Sequence, residues 1–200
     1  MPTIGYLKIP RDRIGVLIGK NGEIRQKIEN ITRTSLNIDS KEGTVTISPT
    51  EAMEDFLGVW KTNNVVKAIG RGFNPDTAIR LIEDDTYLEI IKLTLHVGKS
   101  KKALSRQKGR IIGKNGRTRE IITKMAEVSM AIYGNTVAFV GELENVMIAK
   151  KSVEMLLNGS QHKSIYSFLE SKQNNRKIKE FKSIFAINDD NIKFRDDLDN

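Results

Sequence analysis

The sequence predicts an α+β protein of two related β-α-α-β-β-α units in tandem, each a three-stranded sheet packed by three helices, followed by a C-terminal helix. Three observations predict it: an internal repeat, apolar residues that switch between a period of two and a helical period, and one glycine motif placed alike in both copies. Residues 13–39 lie over 107–133 at an offset of 94, with ten of the twenty-seven positions identical. The identities are Gly15/Gly109, Ile18/Ile112, Gly-Lys-Asn-Gly at 19–22 and 113–116, Arg25/Arg119, Ile28/Ile122, Ser35/Ser129 and Ile38/Ile132. Solenoid repeats rarely exceed about 50 residues, so this period implies duplicated domains.

In the first unit, taken as 3–72, Ile4 to Ile9 alternates and stops at Pro10, a strand. A short apolar turn, Ile14 to Ile18, runs into the glycine motif, and Ile24, Ile28 and Ile31 then share one helix face. Thr34–Ile38 and Thr44–Ile47, joined through Lys41-Glu42-Gly43, read as a strand pair. Met53, Phe56, Leu57 and Trp60 open a long helix to Ile69, with a possible break at Thr62-Asn63-Asn64. A linker (73–85) carries a short helix capped by Asn74 with Pro75 at its first position.

The second unit (86–160) repeats the order. Tyr87 to Val97 is its strand, Ala103–Ile112 and Thr118–Ala126 its helices, and Val128–Tyr133 with Asn135–Val140 its strand pair. Val146, Ala149, Val153 and Leu156 form the closing helix. Tyr6, Trp60, Tyr133 and Phe139 fall at core positions. Tyr166, Phe168, Phe181 and Phe185 fit one stripe of a C-terminal helix (161–187). Residues 188–200, with five Asp, read as a disordered acidic tail.

The 200 residues carry 33 Lys+Arg against 25 Asp+Glu, a net +8. The excess is local: residues 99–124 hold ten cations and one anion, Glu120. That concentration around a glycine turn suits a polyanion. With no Cys and only His96 and His162, thiol chemistry, disulfides and His/Cys metal sites are excluded. No metal or cofactor is expected. No segment approaches the roughly 20 apolar residues of a membrane span, so no membrane association and a cytoplasmic location are expected.

The turn itself carries the chemistry. A Gly-x-x-Gly between two helices bares backbone N–H groups at the start of the second helix, where the helix dipole and Lys20 or Lys114 favour a phosphate. One such turn says little; two, each preceded by Ile and followed three residues later by Arg, say more. Catalytic readings fail. Three residues, not four, separate Gly15 from Gly19 and Gly109 from Gly113, and Asn follows the Lys where a P-loop needs Ser or Thr. Pro75 breaks a dinucleotide fingerprint begun at Gly70-Arg71-Gly72. There is no G-x-S-x-G or HExxH, and the adjacent acids Asp84-Asp85 and Asp189-Asp190 point different ways. No small-molecule substrate is expected.

Apolar-Ile-Gly-Lys-x-Gly followed by an apolar helix, within β-α-α-β-β-α, resembles the type I KH domain, whose loop clamps about four single-stranded nucleotides. Ala68 to Pro75, Tyr87 to Ile90, Gly98 to Leu104 and Lys108 to Gly116 are similar to the archaeal KH-domain ribosomal-RNA-processing proteins, relatives of the eukaryotic partner-of-Nob assembly factor. The resemblance implies binding near the 3′ end of small-subunit (16S) rRNA during ribosome assembly. It also implies contact with the endonuclease that matures that end and with the alpha subunit of translation initiation factor two. Eukaryotic relatives have generally lost the first turn; this chain keeps it.

The expected RNA-binding residues are Gly113, Lys114, Asn115, Gly116, Arg110, Arg119, Lys108, Lys101 and Lys102, with Gly19, Lys20, Asn21, Gly22 and Arg25 as the weaker counterpart. Ile111, Ile112, Ile121, Ile122, Met130 and Ile132 divide between core and groove floor. The leading function is a non-catalytic rRNA-binding assembly factor; the alternatives are a general KH protein acting on RNA or single-stranded DNA, and an unrecognised metal-dependent enzyme.

Overall fold

The computed structural model of the protein describes residues 5–51 and 57–192, with side chains through 183. The first unit runs β1 (Gly5–Lys8), α1 (Arg11–Ile18), α2 (Glu23–Thr32), β2 (Thr34–Asp39), β3 (Thr44–Pro49) and α3 (Leu57–Gly70). Its strands are antiparallel in the order β1-β3-β2. α4 (Pro75–Ile79) and a 3₁₀ turn, Arg80–Ile82, form the linker. The Asn74 side chain accepts the Thr77 amide at 2.8 Å and Pro75 sits at the first position, which is why α4 starts there.

The second unit runs β4 (Tyr87–Lys92), α5 (Leu93–Val97), α6 (Lys101–Ile112), α7 (Arg117–Ala126), β5 (Ser129–Tyr133), β6 (Thr136–Gly141) and α8 (Leu143–Leu157), with the sheet ordered β4-β6-β5. A long helix, α9 (His162–Ile192), follows. Both units thus show the predicted strand and helix order, with one helix, α5, added in the second.

The two sheets are used differently. In each, one face packs on the helices: Leu36, Val45 and Ile47 in the first, and Ile91, Met130, Val137 and Phe139 in the second. The other face of the first sheet is open, and Tyr6 on it is 70% exposed. The other face of the second sheet is apolar. Ala131, Ala138 and Val140, with Leu88 and Ile90, join Phe73, Ala78 and Leu81 in the core of the first unit. β6 is therefore buried on both faces along its whole length.

Polar contacts reinforce this junction. Arg13 donates from Nε to the Ile69 carbonyl at 2.8 Å and from Nη2 to that of Phe73, and its guanidinium lies 5.8 Å from the Tyr133 ring centroid. The Tyr133 hydroxyl donates to the Asp12 carboxylate. Lys61 pairs with Asp84 at 2.7 Å.

Several expectations are corrected. The strand begun at Tyr87 ends at Lys92, because Lys92 pairs with Thr136, the first residue of β6, and the ladder has no further partner; Leu93–Val97 turns into α5. α3 has no break at Thr62. That side chain is buried and hydrogen-bonded to the Gly58 carbonyl and the Thr34 hydroxyl, so it belongs to the core. Tyr6 and Trp60 are not core residues: Tyr6 stands on the open sheet face and Trp60, 56% exposed, on the solvent side of α3. On α9 the buried residues are Ile165 and Leu169, with Phe168 packed beside them, while Phe181 is 61% exposed. The Met53 and Phe56 readings and the end of the acidic tail lie outside the described residues, as does the Phe185 side chain.

Candidate nucleic-acid interface

The two glycine turns have the same backbone. Gly19, Asn21 and Gly22 have φ/ψ of 74/179, 54/24 and 82/8, and Gly113, Asn115 and Gly116 have 76/173, 54/27 and 77/4. The left-handed second pair suits Asn and Gly. The first conformation suits glycine alone. There is also no room for a side chain there: a Cβ on Gly113 would lie 2.3 Å from the Thr118 hydroxyl, and one on Gly19 2.5 Å from Ile24. A Cβ on Gly116 would meet nothing within 4 Å. Gly113 thus lets α7 close onto α6, and Gly116 keeps the outer surface bare.

Part of the expected amide cradle is already engaged. Gly113 N–H donates to Gly109 O at 2.8 Å and Gly116 N–H to Gly113 O at 3.2 Å. A phosphate is left with the Lys114 and Asn115 amides, and those residues' side chains are exposed. The outer side of the turn opens into a groove with Arg117, Glu120, Ile121 and Lys124. Lys124 donates to Glu120 at 2.9 Å and holds that carboxyl below its usual range, so the one anion of the basic window stays paired and ionised.

Beside the helix that follows each turn, a groove runs along the sheet edge. In the first unit it measures about 430 Å³ and is lined by Arg25, Glu29, Asn30, Arg33, Thr34, Ser35 and Thr50. In the second it measures about 500 Å³ and holds Arg119, Thr123 and Ser129, the repeat counterparts of Arg25, Glu29 and Ser35, together with Met130–Ile132 and linker residues. The matching arginines are tethered differently. Arg25 donates to Glu29 at 3.2 Å, and the same Glu29 oxygen accepts the Leu36 amide at 2.6 Å. Thr123 stands where Glu29 does, so Arg119 reaches the Met130 carbonyl instead, at 3.1 Å. In the second groove no carboxylate among the described residues pairs with the arginine, whereas in the first Arg25 is paired with Glu29 and Arg33 adds a second cation.

Of the expected set, Lys114, Asn115 and Gly116 form the turn, and Arg119 follows in the first turn of α7 and lines the sheet-edge groove. The structure separates others. Arg110 turns away to the Ser160 carbonyl at 2.8 Å, while its own carbonyl meets the His162 ring. Lys108 reaches Gly134 O in the β5–β6 turn at 3.2 Å. Lys101 and Lys102 sit at the far end of α6, about 16 Å along its axis from the turn at 1.5 Å per residue. Of the apolar set, Ile111, Ile122 and Met130 are core and Ile112 is the more exposed.

Two contributions were not foreseen. The Tyr166 hydroxyl of α9 bonds Thr118 at 3.0 Å, directly beneath the turn. Gly72 and the linker residues Phe73, Asn74 and Thr77 line the second groove; Asn74 was legible only as a helix cap. Among the described residues no cluster of three or more His, Asp or Glu could hold a metal, and no helix is long and apolar enough to cross a membrane.

Comparison with known proteins agrees with this geometry. Residues 87–174 match the family model of the eukaryotic-type KH domain (KH domain type I), and residues 5–55 that of the KH domain. A KH domain-containing protein of Methanocaldococcus jannaschii is 48% identical over 177 residues, 88% of this chain and 76% of that protein. The RNA-binding protein PNO1 of Oryzias latipes is 26% identical over 70% of this chain, which spans only 57% of its length. The crystal structure of Dim2p from Pyrococcus horikoshii superposes with a TM-score of 0.79 at 48% identity, covering 84% of this chain and 99% of that one. The same organism's complex of a/eIF2alpha, aDim2p and rRNA gives a TM-score of 0.82 at 47% identity, over 88% and 96%. By its two matched domains and by close identity along most of its length, this chain belongs to the KH-domain proteins of the PNO1 and Dim2 type.

Proposed function

We propose that the protein is a non-catalytic single-stranded RNA-binding factor that clamps the 3′ end of small-subunit rRNA during ribosome assembly in the cytoplasm. The second unit is the main clamp. The observation that carries this is the bare Gly113–Gly116 turn followed, one helical turn on, by Arg119, an arginine that no carboxylate in its groove neutralises. Lys114 and the amides of Lys114 and Asn115 take phosphates, while bases lie along the β5 edge. The first turn has the same backbone, but its Arg25 is paired with Glu29, so it makes the looser contact. The rRNA as target is supported by the similar protein solved with rRNA, and the alpha subunit of initiation factor two as partner by the a/eIF2alpha in that complex. Contact with the maturation endonuclease is an expectation of the same family role.

The test is titration of the protein into labelled RNA matching that 3′ end at near-physiological salt, with scrambled RNA and the DNA equivalent as competitors. Selective binding abolished by Lys114→Asp/Asn115→Asp supports the proposal. Equal displacement by all competitors, with affinity following salt alone, overturns the rRNA target in favour of a general KH binder.

A further inference from the structure

The two grooves differ on one side. The first is lined only by residues of its own unit. In the second, the β5 edge and Arg119 face Gly72, the last residue of the first unit, and Phe73, Asn74 and Thr77 of the linker. We propose that this linker wall is part of the second unit's nucleotide site, with Asn74 and Thr77 reading the edge of a base that lies against β5. The inference rests on the proposed placement of RNA in that groove and adds to it residues from outside the KH unit.

The chemistry at Asn74 is specific. Its Oδ1 accepts the Thr77 amide at 2.8 Å, which fixes the amide's orientation and leaves the Nδ2 hydrogens as the outward end. Asn74 is exposed, and its side chain makes no other hydrogen bond among the described residues. Both Nδ2 hydrogens are unused, and they favour base edges that present a carbonyl oxygen or an unprotonated ring nitrogen. The Thr77 hydroxyl, half-buried one helical turn along, can donate or accept beside it.

The wall is also held ready. Arg13 donates to the carbonyls of Ile69 and Phe73 on the linker side and lies over the Tyr133 ring at the end of β5; Tyr133 in turn is bonded to Asp12. Linker and sheet edge are thus fixed to the same hub, and the cleft need not be ordered when a base enters, which favours binding. Capping alone does not require asparagine, since serine caps equally well. That difference makes the inference testable.

Asn74→Ser keeps the cap and removes the amide donor; Thr77→Val removes the hydroxyl at nearly constant shape. In the full-length chain, the double variant should bind the rRNA 3′-end oligonucleotide about tenfold more weakly, the loss of roughly two neutral hydrogen bonds, with an unchanged melting temperature. RNA carrying 4-thiouridine should photocrosslink to the tryptic peptide spanning 72–80. Wild-type affinity in the double variant, with no crosslink to that peptide, overturns the wall while leaving the clamp intact, provided Lys114→Asp/Asn115→Asp still abolishes binding. Undiminished binding in the latter overturns the clamp and the wall together.

Discussion

The two glycines of the second turn should fail in different ways when replaced by alanine. At Gly113, φ/ψ of 76/173 lies in a region that only glycine populates readily, a strain of about 1–3 kcal/mol for alanine. The new Cβ would also press to 2.3 Å on the Thr118 hydroxyl and 2.8 Å on its backbone nitrogen. Thr118 can retreat only by giving up its 3.0 Å bond to Tyr166, about another 1 kcal/mol. Gly113→Ala should therefore cost roughly 3 kcal/mol. For a chain of this length that is about 6–12 °C in melting temperature. At Gly116 the left-handed conformation costs about 1–2 kcal/mol and the Cβ meets nothing. Its methyl projects from the surface a phosphate must approach, so Gly116→Ala should lose RNA affinity out of proportion to its stability. Urea melts and RNA titrations on both variants separate the two effects. Equal destabilisation by the two, or a Gly116→Ala that binds as wild type, refutes the division of labour between them.

Three further outcomes are expected. Arg13→Ala removes two hydrogen bonds and a cation–π contact from the domain junction and should destabilise by about 2–4 kcal/mol in urea melts, with Arg13→Lys recovering less than half because one ammonium cannot reproduce the fork. The Asp12 carboxylate that accepts the Tyr133 hydroxyl raises the phenol above its ordinary value near 10; because the folded value is the higher, this stabilisation is complete below about pH 10 and fades as pH climbs through the folded value. Melts of wild type against Tyr133→Phe should converge only above that pH, and a gap that closes between pH 6 and 8 would contradict the contact. Leu169→Ala, at a fully buried position of α9, should cost about 2–5 kcal/mol and show that this helix is part of the second unit's core rather than an appendage.

The repeat made most of the fold legible, since each element was predicted twice from independent residues, and the turn at Gly113–Gly116 stands where its flanking helices required. The charge run was less instructive. Successive helical residues point about 100° apart, so the cations of 99–124 spread around α6 and α7, and Arg110 ends on the α8–α9 loop although it is only three residues from Gly113. The linker wall left no periodic trace, because its residues act from a turn. One signal was present and unread. Thr44-Val45-Thr46-Ile47 alternates, as a strand with one wet face should, whereas Val137-Ala138-Phe139-Val140 is apolar throughout, the pattern of a strand covered on both sides.

That two-sided burial bears on how the chain folds as it is made. The apolar back of the second sheet, with Ala131, Ala138 and Val140, would be a sticky surface on a domain that stood alone. Its cover, α3 and the linker with Phe73, Ala78 and Leu81, lies earlier in the sequence and leaves the ribosome first. With synthesis at about 5–20 residues per second, the first unit and linker have seconds to form before β6 emerges, and the newborn sheet meets a finished template. Were the second unit made first, the same face would stand exposed during the interval when the nascent chain is most prone to aggregate.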